Sequence, residues 1–102
     1  MWRDLQPQKD RSGSRWNFRS WSSFLWNKDK LVMAHRLFFW NDDKSNCGVV
    51  LFLPESGQGF GRAKGFMEKL VADPTLREKH RRELRFPLER HYGDYGAFPE
   101  EV

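Results

Sequence analysis

Along residues 15–26 the even positions read Trp16, Phe18, Ser20, Ser22, Phe24 and Trp26. The odd positions read Arg15, Asn17, Arg19, Trp21, Ser23 and Leu25. This imperfect period-two alternation predicts a strand with one ring-rich face. A polar break at residues 27–30 (NKDK) separates it from a second apolar run over residues 31–40, and residues 41–46 (NDDKSN) are dense in turn formers. Residues 48–53 (GVVLFL), stopped by Pro54, are the clearest buried strand. Three strands joined by short connections predict an antiparallel meander. A helix competes for part of this stretch, because residues 15–46 contain neither Gly nor Pro. With Ser23 as its cap, Phe24, Leu25, Lys28, Leu31, Val32, His35, Phe38 and Phe39 would share one helical face. The aromatic load and the polar break favour strands.

Past a loop at residues 55–61 (ESGQGFG), Ala63, Phe66, Met67, Leu70 and Val71 recur at i, i+3, i+4, i+7 and i+8. That spacing predicts an amphipathic helix over residues 62–72, packed on Val49, Leu51 and Leu53 or their neighbours. Asp73-Pro74 ends this helix and starts another, since Asp serves as N-cap and Pro suits the first turn. The second helix is expected from Thr75 to about Arg85, with a narrow seam of Leu76, His80 and Leu84 and an otherwise basic surface. Pro87 closes it, and the remaining aromatic, Pro- and Gly-containing tail reads as an extended strap. Residues 1–14 offer little beyond Trp2 and Leu5 to bury, so they read as a flexible basic and polar tail. The expected class is α+β: a small three-stranded antiparallel sheet packed by one amphipathic helix, with a second basic helix and an extended C-terminal strap. A chain of 102 residues accommodates one such domain, over residues 15–102.

Composition changes this picture in one respect. The chain has no Ile, one Thr and five Val, against five Trp, nine Phe and two Tyr, so its strands draw their preference from rings. The formal net charge of +4 lies entirely in residues 1–50, where nine Lys/Arg meet five Asp/Glu; residues 51–102 hold nine of each. A basic half beside a neutral half fits one polyanion-facing surface. The lone Cys47 excludes an internal disulfide, and no apolar run approaches the roughly 18 residues of a membrane span. A cytoplasmic protein with no membrane partner is expected.

Several segments invite chemistry. Gly57, Gly59 and Gly61 precede Arg62 and Lys64 at a helix start, where backbone N–H groups can hold a phosphate. Their spacing matches neither the dinucleotide fingerprint nor the P-loop, which leaves a flexible connector. His35, His80 and His91 form no metal-binding pair; His91 with Tyr92, Asp94 and Tyr95 would make an acid–base cluster only if folded into a cleft. Asp42, Asp43 and Asn46 carry oxygen ligands but lack calcium-loop spacing and read as turn chemistry. The segment from Phe66 to Lys79 resembles the helix–Asp-Pro–helix portion of nitrogen-fixation-type leader peptides, over about 14 of 102 residues. A corner of that kind has the same letters in any fold, so no family, cofactor or metal follows from it.

Rings interleaved with cations are what a single-stranded nucleic-acid surface uses. On that reading Trp16, Phe18, Trp21 and Trp26 stack bases while Arg15, Arg19, Arg81, Arg82 and Arg85 neutralise phosphates. If the even face is core instead, Trp21 is the ring left outside. The leading expectation is a non-catalytic binding module for nucleic acid. The alternative is a protein-interaction or regulatory subunit using exposed aromatics, and a small enzyme ranks below both.

Overall fold

A computed structural model describes residues 2–52 and 59–88. Four strands form one antiparallel sheet in chain order: β1 (Trp2–Lys9), β2 (Arg15–Asn27), β3 (Lys30–Asn41) and β4 (Cys47–Phe52). Two helices follow, α1 (Gly59–Ala72) and α2 (Pro74–Lys79). The class is the expected α+β, with a correction from three strands to four. Residues 2–9, read as a tail, form the added edge strand, pairing Trp2 with Trp21 and Leu5 with Phe18. Its few apolar residues suffice because β2 supplies the ladder partners and Trp2 packs its indole on Trp21, 5.0 Å between ring centroids.

β2 and β3 pair without interruption from Trp16–Asn41 to Asn27–Lys30, so strands rather than a helix occupy residues 15–41. Lys28 and Asp29 make the two-residue turn, Lys28 taking φ 60°. The β1–β2 turn is organised by Asp10, whose carboxylate accepts from the Ser12 and Ser14 amides and, at 3.0 Å, from the Trp16 indole N–H. The β3–β4 turn uses Asp43, accepting from the Ser45 amide at 2.8 Å, and Asn41, accepting from the Asn46 amide at 3.1 Å. These are the roles expected of turn formers.

Both faces of the sheet are covered. One face buries Trp16, Phe18, Leu37, Phe39, Val50 and Phe52 under Ala63, Met67 and Leu70 of α1, with Phe66 and Val71 half-buried beside them. The helical stripe is therefore core, but it meets Val50 and Phe52; Val49 and Leu51 belong to the opposite face, and Leu53 lies outside the described residues. At the α1–α2 corner Asp73 caps α2, accepting from the Thr75 amide at 2.9 Å. Arg77 donates to the Leu70 and Val71 carbonyls at 2.6 and 3.0 Å, closing the end of α1, while its guanidinium lies 4.5 Å above the Trp16 ring.

The second helix stops at Lys79, well short of the expected Arg85. Beyond it the His80 carbonyl accepts from the Val49 amide and the Arg82 amide donates to Cys47, so the chain crosses the outer edge of β4. It then turns under the sheet, where Leu84 and Leu88 are buried against Phe38 and Val49. Bonds to β4 take up the His80 carbonyl and the Arg82 amide, which a continued helix would have used internally. The strap thus begins near Arg82, and its portion beyond Leu88 lies outside the described residues.

Candidate functional site

β2 and β3 are 13 and 12 residues long, whereas β1 has 8 and β4 has 6. Among the described residues, pairing with β1 reaches Trp21 and pairing with β4 reaches His35. Among the described residues, 22–34 therefore continue as a two-stranded arm beyond the four-stranded body. At its root Ser22 and His35 sit opposite each other, hydroxyl to Nδ1 at 2.6 Å, with the imidazole stacked on Phe52. Burial, and secondarily the charge of Arg3, hold the His35 pKa below its ordinary value. On the other face buried Arg36 donates from Nη1 to the Ser23 hydroxyl at 3.1 Å. The Ser–His pairing is visible only once the register is known, and it clasps the two strands where the arm leaves the body.

Beyond that root, Phe24, Trp26 and Leu31 are 65%, 66% and 53% exposed, the large apolar side chains most open to solvent among the described residues. Register places Trp26 across from Leu31 and Phe24 across from Met33, so these side chains share one face of the arm as a contiguous patch. Neither α1 nor the described part of the strap, up to Leu88, is among the residues packed on it. Lys28, Asp29 and Lys30, all exposed, form the tip. Of this patch the sequence reading singled out only Trp26. The signal for Phe24 and Leu31 was the mismatch in run length: apolar alternation continues on β2 and β3 past the point where neighbouring strands could bury it.

The other expected site residues separate. Trp16 and Phe18 are 5% and 3% exposed and cannot stack on a base; that assignment is corrected, because α1 covers the even face of β2 around them. Trp21 is half-buried against Trp2 and Phe38 rather than left outside, since β1 and the strap cover its face as well. Arg15 is exposed, 3.8 Å from Asp42, and Arg19 is paired with Asp4 and lies 5.9 Å from the Trp2 ring. Arg81 bridges to Gly48 through its backbone and faces Glu78 at 3.8 Å; Arg82 is half-buried and Arg85 is exposed on the strap. A shallow cleft does bring Arg19 beside Trp40, Lys44 and Phe86, with the Lys44 ammonium 4.7 Å above the Phe86 ring. Trp26 stands about 23 Å from Arg19 along β2 by strand rise, on the opposite face, so the nine residues do not make one surface.

Asp42 accepts from the Asn17 side chain at 2.9 Å besides pairing with Arg15. Gly59 and Gly61 lie in the first turn of α1, while Gly57 lies outside the described residues, as do His91, Tyr92, Asp94 and Tyr95. No helix among the described residues is long and apolar enough to cross a membrane. No family model, curated protein or solved structure matches this chain.

Proposed function

We propose that this protein is an interaction module that engages a protein partner through the β2–β3 arm. The carrying observation is the exposure of Phe24, Trp26 and Leu31 together on one face of that arm. Each such side chain gains about 1.5–3 kcal/mol when fully buried, so three contiguous ones can anchor an interface. A partner protein suits them better than nucleic acid. Two of the rings expected to stack bases are core, and Asp29 partly offsets Lys28 and Lys30 at the tip. The sheet, α1 and the strap serve as the rigid base that aims the arm.

The test is site-specific photo-crosslinking in cells expressing the chain. A photoreactive residue at position 26 should give protein adducts of discrete mass that vanish when Phe24 and Leu31 are replaced by Ser. The same residue at exposed position 64 on α1 should not. Adducts no more frequent at 26 than at 64, or adducts to nucleic acid, would overturn the reading.

A further inference from the structure

At the end of β2 remote from the arm, a cavity of about 180 Å³ opens between the sheet and the segment that carries α2. The sheet side supplies the buried rings of Trp16 and Phe39, 6.3 Å between centroids, with Cys47 beside them. From the other side come Pro74, Arg77 and Glu78, at i, i+3 and i+4 along α2, and then Arg81, held by its backbone bridge to Gly48. A helix laid on a sheet ordinarily turns apolar residues to it. Here Leu76 packs on the core at partial burial, no residue of α2 is buried, and charged side chains border the remaining space. Closing those charges down on the rings would strip their water without replacing it, so the gap persists.

We infer that this cavity binds a small organic carboxylate, with its charged end on Arg81 and Arg77 and its apolar body between Pro74 and the rings of the sheet. The site lies apart from the arm and does not depend on the arm's partner. Charge sets the class. Two guanidinium groups border the cavity with one carboxylate, Glu78, which stands 3.8 Å from Arg81 while both side chains are more than half exposed. So loose and solvated a pair adds little to the fold. Arg81 can therefore turn to a ligand carboxylate and take it in the two-pronged geometry that guanidinium favours. Arg77 is fixed instead, because Nη1 donates to the Leu70 and Val71 carbonyls and the guanidinium lies over the Trp16 ring. Among the described residues no carboxylate forms an ion pair with it. The cavity thus carries one positive charge in excess, part of it held still in advance, which suits a monoanion. A dianion would set its second charge against Glu78.

Size narrows the class further. An engineered cavity of about 150 Å³ holds benzene, so the space here suits a ring of that size with its carboxylate towards the guanidinium groups. Benzoate meets this description and serves as the probe. Benzamide has the same shape without the charge, and phenyl phosphate carries about two negative charges near neutral pH.

The test titrates the purified full chain with these three compounds at low salt, followed by proton–nitrogen NMR. Benzoate should move the Trp16 indole and Cys47 amide signals with a dissociation constant of about 1 mM or tighter, and benzamide should bind about tenfold or more weakly than that. Phenyl phosphate should bind no tighter than benzoate. Bound benzoate should also slow alkylation of the half-buried Cys47 thiol by iodoacetamide. Arg81→Gln, at an exposed position, should keep the circular dichroism and unfolding midpoint of the wild type and lose about tenfold or more of the benzoate affinity. Glu78→Gln should raise the affinity for phenyl phosphate more than that for benzoate. Unmoved Trp16 and Cys47 signals up to about 10 mM benzoate, equal binding of benzamide, or an Arg81→Gln variant that binds like the wild type would overturn the site. Tighter binding of phenyl phosphate than of benzoate by the wild type would overturn the carboxylate assignment.

Discussion

A Cβ on Gly48 would collide with the His80 carbonyl oxygen and the Phe39 ring. Glycine at this position lets the chain after α2 lie across β4 and reach the second face of the sheet. Replacing it by Ala forces either the crossing segment or a buried ring to move, a shift of the kind that costs about 1–3 kcal/mol. Gly65, inside α1, has nothing within 4 Å of an added Cβ. There the same substitution should stabilise by about 0.5–1 kcal/mol, because Ala is the better helix former. Thermal unfolding of the two variants should therefore shift in opposite directions, and a lowered midpoint for Gly65→Ala or an unchanged one for Gly48→Ala would contradict the packing. Asp10 makes a second residue-scale prediction. Hydrogen bonds from Trp16 and then Ser12 hold its pKa down at about 2, below the ordinary 3.8. A carboxyl depressed on folding contributes stability above its unfolded pKa and loses it as pH falls through the folded value. That contribution should be complete above pH 4 and fade towards pH 2. In Asp10→Asn, unfolding midpoints should vary less over that window than in the wild type; equal slopes would show that the turn does not use the charge.

At the scale of elements, what could be read from the sequence depended on whether the decisive partner was near in the chain. The β2–β3 hairpin was legible because Trp16, Phe18, Leu37 and Phe39 alternate within one continuous stretch, and α1 because Ala63, Met67 and Leu70 recur at helical spacing. β1 was not, since its strand character comes from pairing with β2 and from a Trp2–Trp21 contact that spans the turn. The early end of α2 was equally hidden: Leu84 continues the helical seam in the sequence, but the β4 edge captures His80 and Arg82 first. Reading Trp21 as outside assumed a sheet with one covered face. The strap, through Leu84, Phe86 and Leu88, makes it a sheet with two. The candidate site was half legible for the same reason. Rings and cations were correctly seen as abundant, yet which rings face solvent follows from where β1, β4 and α1 end, and those limits are set by tertiary contacts.

For the molecule as a whole, the hairpin sets the shape. Thirteen residues of β2 at about 3.3 Å each span roughly 43 Å, close to the 45 Å long axis against 28 and 23 Å for the others. The body is built around that axis, and the arm is the part of it that the body leaves uncovered. This division predicts a separation of stability from binding. Phe39, 1% exposed between β4 and α1, should cost about 3–5 kcal/mol when truncated to Ala. That is a large share of the roughly 5–15 kcal/mol that holds a domain together. Trp26 and Phe24 replaced together by Ser should change stability by no more than about 0.5 kcal/mol per site, as for surface positions that pack on little. Urea unfolding followed by circular dichroism measures both variants on one scale, and a common slope with denaturant would show that the same body unfolds in each. If the arm variant loses stability comparable to Phe39→Ala, its rings are packed in the free protein and are not a surface held ready for a partner. If it keeps wild-type stability and loses the position-26 crosslinks, the arm's rings act in binding and contribute little to the fold.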